Sequence, residues 1–129
     1  MIVIHHNPKC GTSRNVLAAI RASGTEPVVI DYLAQGWTRG QLLGLFAAAG
    51  LSPREALRAR APEAAGLESA DDEALLAAMV RHPVLVDRPF VCAPKGVRLC
   101  RPSEAVLDLL DGPLSPDFRK EDGKPMVQA

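Results

Sequence analysis

Ile2-Val3-Ile4-His5-His6-Asn7-Pro8-Lys9-Cys10-Gly11-Thr12-Ser13-Arg14-Asn15-Val16-Leu17-Ala18-Ala19-Ile20 changes its hydrophobic period midway, and that change decides the fold. Ile2-Val3-Ile4 is a β-branched run that ends at Asn7-Pro8, and after Cys10-Gly11 the residues Val16, Leu17 and Ile20 recur on one helical face. Thr12 or Ser13 offers an N-cap hydroxyl, Arg21 lies in the last turn, and Gly24 stops the helix. Pro27-Val28-Val29-Ile30 then reads as a second, buried strand. Parallel strands need a crossover, so the opening is a βαβ unit whose first loop carries Cys10.

Further along, Thr38-Arg39-Gly40-Gln41 has capping-box spacing, and Leu42, Leu43, Phe46 and Ala49 follow at helical intervals up to Gly50. Ser52-Pro53-Arg54-Glu55 predicts a short helix from Arg54 to about Arg58. Asp71-Asp72-Glu73 opens another, with Leu75, Leu76, Met79 and Val80 as its apolar stripe, and His82-Pro83 stops it. The period then shortens. Val84-Leu85-Val86, Phe90-Val91 and Val97 to Leu99 are strand-like, with a hairpin turn at Pro94-Lys95-Gly96. A last helix opens near Ser103-Glu104, carries Val106, Leu107, Leu109 and Leu110, and ends at Gly112-Pro113. The expected architecture is α/β: a thioredoxin-like mixed four-stranded sheet in βαβ…ββα order, with a helical insertion at about 38–82. Residues 1–112 are expected to form this single domain. Residues 113–129 are polar, with Pro113, Pro116 and Pro125, and predict a poorly ordered, poorly packed tail.

Composition narrows the partners. The 129 residues hold 15 Lys+Arg and 15 Asp+Glu, and 47% are hydrophobic, enough for one ordinary core. A zero net charge without a Lys/Arg run argues against a nucleic-acid surface and against a polybasic membrane anchor. The amino terminus lacks a basic region followed by an apolar stretch, and the run Leu42 to Leu51 is far shorter than the roughly 20 residues of a bilayer span. A soluble, cytoplasmic protein is expected. Its cysteines, Cys10, Cys92 and Cys100, are odd in number and widely spaced, which fits free thiols better than disulfides.

An ordinary thiol is only about 3% ionised at neutral pH, and the thiolate is the nucleophile, so a reactive cysteine needs positive potential. Cys10 has it. The backbone N–H groups of Gly11, Thr12 and Ser13 point out of a helix start, where they also suit an oxyanion, and Arg14 follows. From Met1 to Thr25 there are three basic residues, Lys9, Arg14 and Arg21, and no acid. Strand alternation sends His5 and His6 to opposite faces, so at most one reaches the thiol. His5, His6 and His82 have no metal-ligand spacing with one another or with the cysteines, so no metal is expected. Ser13 stands where a dithiol enzyme has its second cysteine, so oxidised Cys10 needs an outside thiol such as glutathione, or a relay through Cys92 or Cys100. The later cysteines lie on or beside the hairpin strands, which favours the outside thiol.

His6-Asn7-Pro8-Lys9-Cys10-Gly11-Thr12-Ser13-Arg14-Asn15 resembles the signature loop of the glutaredoxin-coupled bacterial arsenate reductases. The resemblance continues in register through Ser23-Gly24-Thr25-Glu26-Pro27, Tyr32-Leu33, His82-Pro83, Arg88-Pro89 and Gly96-Val97-Arg98-Leu99-Cys100-Arg101-Pro102-Ser103-Glu104. It implies a thioredoxin-like fold and reduction of arsenate to arsenite, with glutathione as co-substrate, glutaredoxin as partner and no bound cofactor. By position it makes Cys10 the nucleophile, His6 and Ser13 residues that tune the thiolate, and Arg58, Arg88 and Arg101 the oxyanion-binding arginines, with Arg54 and Arg60 close to the first of these. Arginine suits that task because its planar fork neutralises a tetrahedral oxyanion in two-point contact. Arg88-Pro89 is also where such folds commonly place a cis proline facing the cysteine.

The phosphatase-like, thioredoxin-coupled arsenate reductases need an arginine six positions after the cysteine, where this chain has Val16. Relatives of the same fold that bind RNA polymerase as transcription regulators typically carry two cysteines in the motif, so Ser13 favours the enzyme. A glutathione-dependent oxidoreductase with another substrate is the further alternative.

Overall fold

Strand β1 (Val3–His6) is central in a four-stranded sheet of order β2-β1-β3-β4, where β2 is Val28–Asp31, β3 Phe90–Ala93 and β4 Gly96–Leu99. The computed structural model describes residues 1–128. β1 runs parallel to β2, with Val3 opposite Val28 and His6 opposite Asp31. It runs antiparallel to β3, with Val3 opposite Cys92 and His5 opposite Phe90. β3 turns back into β4 through Pro94-Lys95, pairing Ala93 with Gly96 and Phe90 with Leu99. Gly96 has φ 148°, a conformation that its missing Cβ permits at the turn. This is the mixed thioredoxin-like sheet expected from the sequence.

Helix α1 (Gly11–Ala22) makes the crossover, burying Ser13, Val16, Ala19 and Ile20 on one face. Its C-terminus closes through Ser23, whose N–H donates to Ala19 O, and Gly24 follows at φ 98°. Val16, Ala19 and Ile20 meet Ile2, Ile4, Val91, Cys100, Val106 and Leu109 in one core. The segment after β4 is a 3₁₀ helix, Ser103–Leu109, where an α-helix was expected, and it buries Val106 and Leu109 against that core. β2 is an edge strand, not a buried one: Val28 is 44% and Val29 39% exposed, because among the described residues β1 is its one strand neighbour.

The described residues divide into two compact units, one formed by residues 1–31 and 88–128, and one by Tyr32–Asp87. The second is helical: α2 (Tyr32–Gln35), α3 (Arg39–Ala49) and α4 (Asp72–Arg81), with α3 and α4 in contact. It begins before the 38–82 insertion expected, since Tyr32 and Trp37 stack with centroids 5.4 Å apart. The Thr38 capping box forms in both directions, and Gly50 closes α3 in the left-handed conformation. Asp71 caps α4 by accepting from Ala74 N–H at 2.9 Å. The short helix expected from Arg54 to about Arg58 is absent. Ser52 and Glu55 exchange their capping bonds, but Leu57 then bridges Val86 and Arg58 N–H donates to Leu85 O at 2.7 Å, which draws the chain into extended pairing. Val84-Leu85-Val86 is correspondingly not a strand: Pro83–Leu85 is a 3₁₀ turn ending at that bridge. His82 is the α4 C-cap.

Residues 113–128 correct the expectation of a poorly packed tail. Leu114 and Met126 lie in the core of the first unit, Met126 only 1% exposed. Lys120 N–H donates to Lys124 O at 2.9 Å and Arg119 bridges Pro125, so residues 119–125 form a closed turn with Gly123 at φ 84°. Among the described residues, no helix is long and apolar enough to cross a membrane.

Candidate active site

The loop from β1 to α1 is wound tightly enough to set Cys10 at the helix start. Cys10 N–H donates to Asn7 O at 3.0 Å, Lys9 N–H donates to Asn7 Oδ1 at 2.9 Å, and Arg14 N–H makes the first helical bond to Cys10 O at 3.0 Å. Cys10 is itself the N-cap, in extended backbone conformation, and no side chain caps the helix. Neither Thr12 nor Ser13 takes the capping role expected of it. Gly11 and Thr12 form the first turn, and the buried Ser13 hydroxyl turns inward, 2.6 Å from His6 Nδ1, accepting from Asn7 N–H at 3.0 Å. His6 is therefore the histidine that joins the site, on the buried side of β1, and His5 takes the other face. His6 has its pKa lowered chiefly by burial, partly opposed by Asp31.

The two arginines after the insertion arrive through sheet register. Phe90 pairs with Leu99, Cys100 N–H donates to Pro89 O at 2.8 Å, and one step further Arg101 Nη1 donates to Arg88 O at 3.1 Å. Since His5 pairs with Phe90, the Arg88 end of β3 is the end at which β1 runs into Cys10. The same Arg101 Nη1 lies 3.8 Å from Cys10 Sγ. The Arg88-Pro89 and Arg101-Pro102 peptide bonds are both cis.

Burial is the largest influence on the Cys10 thiol and pushes its pKa up. The Ser13 backbone N–H, the Arg88 guanidinium and Arg101 together outweigh it, so the thiol lies below its ordinary value. The other thiols go the opposite way: burial raises Cys92, and drives Cys100 up to about 12. Cys92 stands opposite Val3, at the far end of β1 from Cys10, and Cys100 is fully buried in the core. All three cysteines are free.

Arg14 has its pKa raised chiefly by Glu121 and in smaller part by Cys10, so it lies near the thiol and carries in addition a pairing that the sequence does not signal. Its Nε and Nη2 donate to the two carboxylate oxygens of Glu121 at 2.7 and 3.0 Å, and its Nη1 donates to Pro8 O at 2.9 Å. The flank that is acid-free in sequence thus receives a carboxylate from 107 residues away, which no local spacing signals. Arg58 belongs to the second unit, half-buried with its amide on Leu85 O. Arg54 Nη2 donates to the carbonyls of Leu67 and Ala70 at 3.0 and 2.8 Å, and Arg60 is exposed. Among the described residues, no group of three or more His, Cys, Asp or Glu is placed to hold a metal ion.

A buried, activated thiol at a helix start, flanked by backbone N–H groups and two guanidinium groups, can attack the central atom of a small oxyanion while its charge is neutralised. Comparison with known proteins agrees. A model of the ArsC family matches residues 5–109. The chain is 60% identical to an arsenate reductase of Synechocystis sp., over 98% of this chain and 94% of the relative. It is 50% identical to an arsenate reductase of Rhizobium meliloti, over 99% and 94%. The solved structure of an arsenate reductase from Vibrio cholerae superposes with a TM-score of 0.79 at 38% identity, covering 84% of this chain and 97% of that one. The matched span contains Cys10, Arg88, Arg101, strands β2 to β4 and the end of β1 that leads into Cys10, and the chain belongs to the ArsC family.

Proposed function

We propose that this protein reduces arsenate to arsenite with Cys10 as nucleophile, glutathione as the second thiol and glutaredoxin as the recycling partner. The observation that carries the reading is the approach of Arg101 to Cys10 Sγ, 3.8 Å, beside Arg88 and the Ser13 amide. The Cys10 thiolate attacks arsenic, one arsenate oxygen leaves as water after protonation, and a Cys10–sulfur–arsenic(V) adduct forms. Arg88 and Arg101 offset the charge that this attack brings together, and the amides of Gly11, Thr12 and Ser13 face the oxyanion. Arg58 is the third oxyanion-binding arginine of this reading, and His6 and Ser13 hold the loop that presents the thiolate. A glutathione thiolate then bonds to Cys10 sulfur, two electrons pass to arsenic, and arsenite departs from a Cys10–glutathione disulfide. A glutaredoxin thiol takes the glutathione and restores Cys10.

An outside thiol is favoured because Cys100 is fully buried with its pKa raised to about 12, and Cys92 lies at the wrong end of β1. A cycle that needs reduced glutathione and free cysteines belongs in the reducing cytoplasm. The test is arsenate-dependent NADPH oxidation with glutathione, glutaredoxin and glutathione reductase. Cys10→Ser should abolish turnover, and Cys92→Ser and Cys100→Ser should retain it. Turnover by Cys10→Ser would overturn the nucleophile, and loss in both late variants would indicate an internal relay. Absence of arsenate turnover, with tight binding to RNA polymerase, would support the regulator instead.

A further inference from the structure

The C-terminal segment lies beyond residue 109, where the family match ends, yet it reaches the start of α1. We propose that Glu121 is a positioning residue of the thiol site: it clamps Arg14 in a two-point ion pair and so offsets the pull of that cation on Cys10 and on the bound oxyanion, leaving Arg88 and Arg101 as the uncompensated guanidinium groups beside the thiol.

The placement of Glu121 is built, not incidental. Its own N–H donates to Asn15 Oδ1 at 2.9 Å, and the preceding Lys120 pairs with Glu104 at 2.9 Å. Met126 anchors the far side of the turn in the core. Both groups of the pair stand over the residue that follows the nucleophile, because a Cβ on Gly11 would lie 3.6 Å from Arg14 Nη2 and 3.6 Å from Glu121 Oε1. The third guanidinium nitrogen is committed to Pro8 O, so Arg14 is held at three points on the loop that carries Cys10. Charged groups beside the thiol include Arg88 and Arg101 at the hairpin ends, Arg14 from α1, Lys9 next to Cys10 in the loop and Glu121 from the C-terminal turn, with His6 behind Ser13. An uncompensated Arg14 beside Arg88 and Arg101 would depress the thiol further and retain an anion more strongly. Glu121 offsets it.

The pair is about half exposed, at 44% and 50%, so its influence is screened and modest. The inference rests on Cys10 as the nucleophile, but its test does not need turnover. Alkylation of Cys10 by iodoacetamide, followed by mass spectrometry of its peptide, reports the thiolate across pH in wild type, Glu121→Gln, Arg14→Gln and the double variant. Glu121→Gln removes a negative charge and keeps the shape, so its profile should move to lower pH, with alkylation below the wild-type midpoint about two- to fivefold faster. Arg14→Gln should move it the other way, and the double variant should return close to wild type. Inorganic phosphate should protect Cys10 in Glu121→Gln at about two- to fivefold lower concentration. An unmoved or upward-moved profile in Glu121→Gln, with or without lower stability, would overturn the inference. A moved profile without arsenate turnover would overturn the proposed function and leave this inference standing.

Discussion

The thiol of Cys10 is the outcome of opposed forces on one atom. Burial favours the protonated form, and a backbone amide with two guanidinium groups favours the anion more. Because the anion wins, the thiol stays ionised at pH values where a free cysteine is protonated, and reactivity falls as pH drops through the lowered pKa. Arg101→Gln should raise that pKa, shift the alkylation profile to higher pH, and slow alkylation at neutral pH by about three- to tenfold. A profile unchanged by this substitution would mean that the 3.8 Å approach of Arg101 has no electrostatic effect. Cys100 shows how much the environment matters, since next to Arg101 in sequence it is fully buried and its pKa rises to about 12.

At the scale of elements, local signals were reliable wherever a segment's own hydrogen bonds decide its shape. The Thr38 capping box, the helix opening at Asp71-Asp72-Glu73, the Gly50 stop and the Pro94-Lys95 hairpin all form as the sequence reads. Thr38→Ala removes the acceptor for Gln41 N–H and one half of a reciprocal box, and should cost about 1 kcal/mol in urea unfolding. A cost near zero would mean that water replaces the hydroxyl at that helix end. Local signals failed where a distant partner made the better offer. Ser52-Pro53-Arg54-Glu55 forms its capping bonds and still gives no helix, because Leu57 and Arg58 pair with Val86 and Leu85. Ser13 leaves the cap open because His6 and Asn7 claim its hydroxyl.

At the scale of the molecule, the C-terminal segment departs furthest from its composition. Polar and rich in proline, it nevertheless places Leu114 and Met126 in the first unit's core and a carboxylate on Arg14. Met126→Ala should therefore cost about 2–5 kcal/mol in equilibrium unfolding, as for a buried methionine. A loosely attached tail would lose almost nothing.

The sequence by itself determined the strand-helix-strand opening, the position of Cys10 at a helix start and the hairpin that carries Arg88 and Arg101, since each depends on period, capping residues or turn residues a few positions apart. The tertiary structure decided which groups share the thiol's surroundings. Arg88 and Arg101 meet because the register of β3 and β4 continues past their paired ends, and β1 brings Cys10 to the same end. It also decided that Cys100 is buried with its thiol pKa pushed up, that β2 is exposed, and that an acid-free flank in sequence has Glu121 beside it in space. Burial and charge are properties of what surrounds an atom, and for these residues the surroundings come from segments remote in the chain.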